Sequence, residues 1–304
     1  MRPKILAIYY SQSGQAREVS DTFFSKMDAD LTYYEIKPSQ AFPFPWSTFS
    51  FFNVFPETFV QKPIALDLTD FPKDEVVDLV VLIYQPWFLT PSLPIASFLQ
   101  TDVAKNFLRN KNVITFSCSR NMWLGAQEKV KVHLKNSAAK LVGNIAVVDN
   151  SPNLKSVITI LRWMLTGKRS PFLIFPKAGI QDEDVAKTAM FGEIVKQQFD
   201  SGDYSSLQQK LNEAGAVVIK ASLLLLEKRG QKAFKVWAKF IGMADPKSMT
   251  RKIRVGLFSF LLPTVVFILS PILSIVSSIM LALQKDKLNK TAEKFKQNEL
   301  VDFF

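Results

Sequence analysis

Short apolar runs that alternate with helical patterns are the feature that most constrains the fold of this chain. The run over 76–84, Val-Val-Asp-Leu-Val-Val-Leu-Ile-Tyr, is nearly continuous, as in a central parallel strand that is covered on both faces. Four further runs have a similar character: 4–10, 31–36, 112–117 and 141–148. Helical patterns lie between them, at 15–27, 94–108 and 124–139. This alternation predicts an α/β fold with a doubly wound, five-stranded parallel sheet.

The rest of the chain is expected to be helical. Residues 153–165 are interpreted as the closing helix of the sheet domain, which therefore spans 1–166. A polar helix over 182–200 and a long basic amphipathic helix over 204–243 are expected to form a helical extension of residues 167–250. Residues 251–304 then form a hydrophobic, membrane-associating segment with a basic tail.

The scarcity of cysteine and histidine excludes several kinds of site. The single cysteine, Cys118, excludes a disulfide framework and a cysteine-based zinc site, and the single histidine, His133, excludes a multi-histidine metal site. We therefore expect no metal. Cys118 is interpreted as a small buried filler, and His133 as a solvated residue in the middle of a helix.

The net charge of +11 is confined to one part of the chain. Residues 220–296 carry 15 Lys and Arg against 4 Asp and Glu, whereas the remainder carries 23 of each. The basic residues flank the most apolar stretch of the sequence, 255–283, which contains no charged residue. This arrangement favours anionic lipid as a partner and not nucleic acid.

The apolar stretch over 255–283 is long enough to cross a bilayer, for which about 20 apolar residues suffice. Pro263 and Pro271 interrupt it, and both of its flanks are basic, so charge gives no orientation. A full span, a re-entrant anchor, a buried helix pair and a dimer seam all fit the pattern. Because the N-terminal residues do not resemble a signal peptide, we expect a cytoplasmic domain attached to the cytoplasmic face of the inner membrane.

The loop after the first strand carries the strongest binding signal. It has hydroxyls at Ser11 and Ser13, a glycine at Gly14 and then a helix N-terminus, which together make an anion site or an ordinary capped turn. No Rossmann or P-loop glycine pattern is present. The loop resembles the first FMN loop of flavodoxins, Ser/Thr-x-Thr-Gly-x-Thr, with alanine at the last hydroxyl position. The resemblance assigns six residues to FMN binding: Ser11, Gln12, Ser13, Gly14, Gln15 and Ala16.

Two further strand ends offer residues to the same edge of the sheet. Flavodoxin-like quinone reductases carry a similar proline-aromatic-aromatic segment beside the flavin ring, and flavodoxins place the third loop near the pyrimidine end of the flavin. The predicted cofactor residues are Pro86, Trp87, Phe88 and Leu89 in the second loop, and Ser117, Cys118, Ser119, Arg120, Asn121 and Trp123 in the third. Arg120 and Asn121 are the candidate catalytic residues, for stabilising an anion or holding a carbonyl. Helix capping and a surface position are the alternatives for both.

An aromatic insert over 40–64 separates the second and third strands. It contains eight aromatic residues between Phe42 and Phe59, and its prolines prevent a regular helix across 42–45. It is expected to cover a hydrophobic substrate pocket, to pack on the C-terminal helices, or to do both. The substrate-pocket candidates are Trp46, Phe49, Phe51, Phe52 and Phe55.

Four segments together resemble one narrower bacterial family, the dialkylresorcinol-forming proteins of flexirubin and aryl-polyene gene clusters. They are 8–15, the aromatic insert, Tyr84-Gln85-Pro86-Trp87 and Ser119-Arg120-Asn121-Met122-Trp123. The resemblance implies an FMN-dependent aromatase, which oxidises a dialkyl cyclohexanedione or cyclohexenone to a 2,5-dialkylresorcinol after a partner ketosynthase has joined two chains. It also implies a hydrophobic small-molecule substrate.

Other functions remain open from the sequence. A membrane-associated NAD(P)H:quinone-type flavin reductase and a one-electron flavodoxin shuttle are alternatives within redox chemistry, although such shuttles are usually small and acidic. A flavin-free membrane adaptor with the same fold is the alternative from another class, and the alanine at residue 16 favours it. Homo-oligomers are compatible with the sequence.

Overall fold

The computed structural model describes residues 2–269, 284 and 286–301. Its centre is a parallel sheet of five strands: β1 (Lys4–Tyr9), β2 (Asp30–Glu35), β3 (Leu79–Tyr84), β4 (Asn112–Ser119) and β5 (Lys140–Val148). The strand order is β2-β1-β3-β4-β5, and every neighbouring pair is parallel. This is the doubly wound order of flavodoxin-like folds. The predicted α/β class and five-stranded parallel sheet are confirmed.

The register of the sheet brings three loops to one edge. Tyr9 of β1 is paired with Ile83 of β3, which is paired with Phe116 of β4. All six residues of β3 are buried, as the continuous apolar run predicts. The loops that follow these three strands therefore leave the sheet side by side, at the edge where ligands bind in open α/β sheets.

Helices cover both faces of the sheet and continue into the extension. They are α1 (Gln15–Phe24), α2 (Thr48–Asn53), α3 (Phe55–Phe59), α4 (Leu93–Gln100), α5 (Asp102–Leu108), α6 (Leu124–Asn136), α7 (Asn153–Thr166), α8 (Asp182–Ser201), α9 (Leu207–Glu213), α10 (Ala221–Gly242) and α11 (Met249–Thr264). A π-helical turn, Val265–Leu269, follows α11, and residues 286–296 are helical. Two short antiparallel ladders, Lys37–Pro38 with Leu66–Asp67 and Pro86–Trp87 with Thr90–Pro91, complete the described structure.

The helix that packs beside α1 on the sheet is α8. Phe191 and Val195 of α8 share one buried core with Phe23 of α1. A Cβ atom on Gly192 would lie 2.0 Å from the carbonyl oxygen of Phe23, so the two helices approach this closely only because residue 192 is glycine. The core also includes Leu207 and Leu211 of α9, and thus extends beyond the expected boundary at residue 166.

Two segments that were expected to be single helices are each divided in two. The segment over 94–108 breaks at Thr101, whose backbone is extended and whose hydroxyl caps α5 by accepting from the Ala104 N–H at 3.1 Å. The segment over 204–243 breaks after α9, where Gly215 adopts a φ of 83°. Because of this break, α10 starts against β5, where Leu224 packs with Ala146, and then packs on the aromatic insert.

The aromatic insert and the extension form one hydrophobic cluster. Phe55 of α3 stacks on Phe258 of α11 with ring centroids 4.4 Å apart. Arg251 of α11 is fully buried, and its guanidinium donates to the carbonyl oxygen and the side-chain oxygen of Asn53, to the carbonyl oxygen of Ile241 and to the Glu57 carboxylate. The expectation that the insert packs on the C-terminal helices is therefore met by its second half.

The expected membrane segment is only partly covered by the structure. Within the described residues, none of the helices combines the length and the apolar character that a bilayer crossing requires. The part of the expected segment over 270–283 lies outside the described residues. The membrane-type segment stays a prediction from sequence.

Candidate functional site

A cavity of about 210 Å³ lies at the edge of the sheet where the three loops emerge. Its walls come from those loops, from the aromatic insert, from α7 and from the loop after α7. The lining residues are Gln12, Ser13, Gln15, Phe44, Trp46, Phe51, Val54, Gln85, Pro86, Trp87, Phe88, Cys118, Ser119, Arg120, Ile160, Trp163, Met164 and Gly179. The structure thus brings residues from six separate parts of the chain to one site, whose wall is mainly apolar with a few polar groups.

The first loop reaches the cavity through Gln12, Ser13 and Gln15. Gly14 adopts a φ of 83°, which glycine tolerates, and α1 begins at the next residue with its first N–H groups free of helical partners. These N–H groups and the helix dipole make an anion site beside the cavity. The Ser11 hydroxyl accepts from the Ala16 N–H at 3.2 Å, so this side chain caps the loop and is not in the cavity wall.

Ala16 was predicted among the cofactor residues, but its side chain points away from the cavity. It is fully buried in the core between α1 and the sheet. The first turn of the helix directs it there, because residues 16, 19 and 23 share the inward face of α1. Only the Ala16 backbone remains near the anion site, where its N–H is engaged by Ser11.

The two glutamines of the first loop hold neighbouring segments in place. The Gln15 amide accepts from the Ile180 N–H at 3.2 Å and donates to the Ile180 carbonyl at 3.1 Å. Gln12 donates to the Pro43 carbonyl at 2.9 Å. A Cβ atom on Gly179 would lie 2.4 Å from the Gln15 oxygen, so the contact depends on glycine at that position. The glutamines therefore tie the insert and the loop after α7 to the first loop.

Arg169 ties the segment after α7 to the first turn of α1. Its guanidinium donates to the Glu18 carboxylate in the first turn of α1 at 2.6 Å and lies 5.2 Å over the ring of Trp163. Arg17, which is nearer in sequence, turns away and lies 3.4 Å over the ring of Tyr33. Sequence reasoning missed Arg169 because it follows α7, far from the first loop along the chain.

The second loop forms a tight hairpin that presents Pro86, Trp87 and Phe88 to the cavity. Phe88 and Leu89 both have positive φ, 51° and 64°, which is strained for residues with a side chain. Leu89 was predicted as a cofactor residue but is not in the cavity wall; its carbonyl accepts from the Gln231 side chain of α10 at 2.6 Å. The extension thereby supports the strained turn.

Trp87 joins the second loop to the aromatic insert. Its ring makes edge contacts with Phe42 at 5.3 Å and with Tyr10 and Trp46 at 5.8 Å between centroids. Trp46 is 4% exposed, and it lines the cavity together with Phe51. The other expected pocket residues lie elsewhere: Phe49 is exposed, while Phe52 and Phe55 pack on α11. Their positions on α2 and α3 turn them towards solvent or the extension.

The third loop contributes Cys118, Ser119 and Arg120 to the cavity wall. Nη1 of Arg120 donates to Oδ1 of Asn153 at 2.5 Å, and the Asn121 amide donates to the same oxygen at 2.9 Å. Burial lowers the pKa of Arg120 to about 10, so the guanidinium remains charged at neutral pH. Asn121 is not in the cavity wall. Its amide and the Arg120 guanidinium donate to the same Asn153 oxygen, and this shared acceptor holds Asn121 beside the arginine.

Two residues of the third loop were predicted near the cofactor but face away from the cavity. Ser117 is fully buried inside the sheet as part of β4. Trp123 is 2% exposed and packs with Leu224 of α10 and Phe295 of the C-terminal helical residues. The extension covers this side of the sheet, and the tryptophan fills the space beneath it.

The surroundings of Cys118 and His133 shift the pKa values of both side chains. Burial raises the pKa of the Cys118 thiol, which therefore stays protonated and is not a nucleophile. His133 was expected to be solvated, but it is half-buried and its Nε2 pairs with the Gln61 side chain at 2.8 Å. Burial, with two nearby lysines, lowers its pKa, so it is neutral at neutral pH. The helix surface around it is covered by the end of the aromatic insert.

Two buried polar atoms at the cavity lack partners among the described residues. They are Nε1 of Trp46 and Oγ of Ser119, and both residues are part of the cavity wall. Buried polar atoms in proteins are nearly always hydrogen-bonded. A polar group of a ligand in the cavity is one way to satisfy these two atoms.

Comparisons with known proteins find similarity only at the level of solved structures. No protein-family model matches the chain. No curated protein matches it at a significant level. Similar solved structures include a flavoprotein in complex with FMN from Lactobacillus acidophilus NCFM, with 21% identity, a TM-score of 0.37 and coverage of 47% of this chain and 91% of that chain. Another is a flavodoxin from the domain Archaea, with 9% identity, a TM-score of 0.35 and coverage of 65% of this chain and 99% of that chain. By the order and direction of its five strands, and independently of these weak overall likenesses, this chain has a flavodoxin-like fold.

Proposed function

We propose that the protein binds FMN at this cavity and uses it to oxidise an apolar ring compound. The reaction that fits the residues best is the aromatisation of a dialkyl cyclohexanedione or cyclohexenone to a 2,5-dialkylresorcinol. The observation that carries the proposal is the cavity itself, because an aromatic wall, one charged arginine and two unpartnered polar atoms meet there at the ligand-binding edge of the sheet.

The residues present fit FMN in two respects. The N–H groups at the start of α1, apart from that of Ala16, which donates to Ser11, suit its phosphate together with Ser13 and Gly14. The cavity is smaller than the usual 300–1,000 Å³ of small-molecule pockets, so we assign the ring system to it and leave the phosphate in the open loop. Trp87 and Phe88 supply flat apolar area, for which aromatic contacts contribute roughly 0.5–1.5 kcal/mol beyond burial.

The chemistry divides between the cofactor and the chain. FMN, when bound, supplies the site that accepts a hydride from a ring carbon. The accompanying proton is lost to solvent from the carbon next to a carbonyl, which leaves negative charge on the carbonyl oxygen. Arg120, charged and held in position by Asn153, can stabilise this oxygen. The indole N–H of Trp46 is a second donor in the same wall.

The apolar wall explains the choice of substrate class. Trp46, Phe51 and Trp87 exclude water and offer surface for a ring with alkyl substituents. Cys118, protonated in its buried position, stays out of the chemistry. A ketosynthase that supplies the ring compound, and a position on the cytoplasmic face of a membrane, belong to the same proposal.

The test begins with the visible spectrum of the full chain purified in mild detergent. Flavin absorbance at one FMN per chain is expected, and the flavin-bound protein should convert a dialkyl cyclohexanedione to the resorcinol, measured by mass spectrometry. Absence of flavin after reconstitution with FMN would refute the proposal and favour an adaptor. Bound flavin that NADPH bleaches rapidly, with no resorcinol formed, would assign the protein to the quinone reductases.

A variant pair sharpens the assignment to this cavity. Trp46→Phe keeps the aromatic ring but removes the unpartnered N–H, and should weaken turnover or binding. Phe49→Leu, an exposed position in the same insert, is the matched control and should leave both unchanged. Equal behaviour of the two variants would place the ligand outside this cavity.

A further inference from the structure

The outer surface of the helical extension carries two exposed apolar rows. On α11 the row consists of Met249, Ile253, Leu257 and Phe260, of which Phe260 is 70% exposed. At 3.6 residues per turn these four side chains fall within about 80° of the helix circumference. A second row consists of Val236 and Phe240 on α10 and Met243 directly after it, spaced four and three residues apart.

The opposite side of α11 is already used for packing. Arg251, Val255 and Phe258 are buried against the aromatic insert. The helix is thus apolar on two opposite sides, and the described residues cover only one of them. An ordinary surface helix exposes polar residues on its outer side, so the exposed row needs a different explanation.

The two rows belong to one surface. The Arg254 guanidinium of α11 lies 4.5 Å over the ring of Phe240 of α10 and donates to the Phe240 carbonyl oxygen. This contact joins the helices edge to edge. We call the combined surface the α10–α11 face: Val236, Phe240, Met243, Met249, Ile253, Leu257 and Phe260.

Positive charge surrounds this face. Residues 228–268 contain nine Lys and Arg and a single acidic residue, Asp245. Lys232, Lys235 and Lys239 form an exposed row on α10 beside the apolar row, and Lys252 is exposed next to Ile253 on α11. A second copy of the chain placed on this face would bring these lysine rows against each other. An anionic surface with an apolar interior complements both features.

We propose that the α10–α11 face docks on a lipid bilayer that contains anionic lipids, with its apolar rows in the headgroup boundary and its lysines among the phosphates. Docking of this kind needs no helix that crosses the membrane. The proposal is independent of what the cavity binds. It also differs from an anchor formed by residues 270–283, and the two are separated by substitution.

The test is flotation of the full chain with vesicles of phosphatidylcholine alone or mixed with phosphatidylglycerol in equal parts. The apolar variant is Ile253→Ser with Phe260→Ser, and the charge variant is Lys232→Gln with Lys235→Gln and Lys239→Gln. The matched control is Val76→Ser with Val132→Ser, two exposed apolar positions outside the face. Thermal unfolding confirms that each variant is folded.

The wild type and the control should bind the anionic vesicles and lose binding at high salt. The charge variant should bind on the order of 100-fold more weakly, since each lysine near an anionic surface contributes about fivefold. The apolar variant should bind on the order of 100-fold more weakly, since each of the two buried apolar side chains contributes about tenfold or more. Vesicle binding that neither variant reduces would overturn the proposal, as it would assign membrane contact to another segment.

Self-association is the remaining outcome that would overturn it. A concentration-dependent dimer that the apolar variant abolishes, with no vesicle binding by the wild type, would assign the face to a second copy of the chain. The visible spectrum of each variant is recorded in the same samples. Because the cavity lies on the other side of the aromatic insert, its ligand should be retained in all of them, so failure of docking and failure of flavin binding are distinguishable.

Discussion

The buried arginine between the insert and the extension provides the most direct test of how the site is built. Arg251 is fully buried, and its partners are the Glu57 carboxylate, the Asn53 backbone and side-chain oxygens, and the Ile241 carbonyl. Arg251→Met retains the apolar length of the side chain but leaves these oxygens without a donor. Breaking a buried ion pair from one side costs about 3–5 kcal/mol, so unfolding of the extension should become easier by that amount.

The assay is denaturant unfolding followed by tryptophan fluorescence, since Trp237 is part of the same cluster. Hydrogen exchange of α10 and α11 then distinguishes local opening from global unfolding. Lys252→Met is the matched control: it removes the same charge at the next residue, which is exposed, and should change stability by less than about 0.5 kcal/mol. Arg251→Met with Glu57→Gln should recover part of the loss, because the stranded carboxylate is then neutral.

A loss below about 1 kcal/mol for Arg251→Met would refute this reasoning, because the buried hydrogen bonds would then contribute little more than surface contacts. The result also bears on function. Asn53 and Glu57 belong to the helices of the insert, whose earlier residues Trp46 and Phe51 line the cavity. Loosening of this junction should therefore weaken ligand binding without any change in the cavity wall itself.

Three further predictions follow from other contacts. Burial raises the pKa of Glu227 to about 8, so stability should fall as the pH rises from below the ordinary glutamate value through about pH 8, and Glu227→Gln should flatten this decline in denaturation curves. Gly192→Ala should lower the unfolding free energy by about 1–3 kcal/mol, because its Cβ would meet the Phe23 carbonyl at 2.0 Å. Gly256→Ala, with open space around its Cβ, is the control and should be neutral or stabilising by calorimetry. Arg120→Gln should reduce turnover on the order of 100-fold and leave the flavin spectrum present.

Each of these has a result that would contradict it. A decline in stability with pH that persists in Glu227→Gln would assign the titration to another group. Equal unfolding free energies for the two alanine variants would mean that α1 and α8 separate without cost. Loss of flavin in Arg120→Gln would make this arginine a cofactor-binding residue, and full turnover would remove it from the chemistry.

Much of the sheet was predictable from the sequence. Its central strands are buried on both faces, and their sequences are therefore continuous apolar runs. The first residue of β1, β4 and α6 lies within one residue of the expected position. Loops that follow parallel strands must meet at one edge, and Ser13, Trp87 and Arg120 accordingly lie together in the cavity wall.

The direction of each side chain within those loops was not predictable. Ala16 turns into the core with the phase of α1, and Trp123 turns towards α10, which arrives from the far end of the chain. Residues 153–165 were expected to form the closing helix of the sheet domain. In the structure, α8 approaches α1 closely at Gly192, and α7 forms a wall of the cavity.

The sequence by itself determined the strands, their loops and the confinement of positive charge to the C-terminal third, since these depend on local pattern and composition. Only the tertiary structure decided which polar groups meet. Gln15 with Ile180, Arg120 with Asn153, and Arg251 with Asn53 and Glu57 are separated by up to 198 positions. No local periodicity encodes such pairs, because they form only after the helices have packed and buried polar groups must find partners. The same packing buried one side of α11 and left the other side exposed, which produced the α10–α11 face.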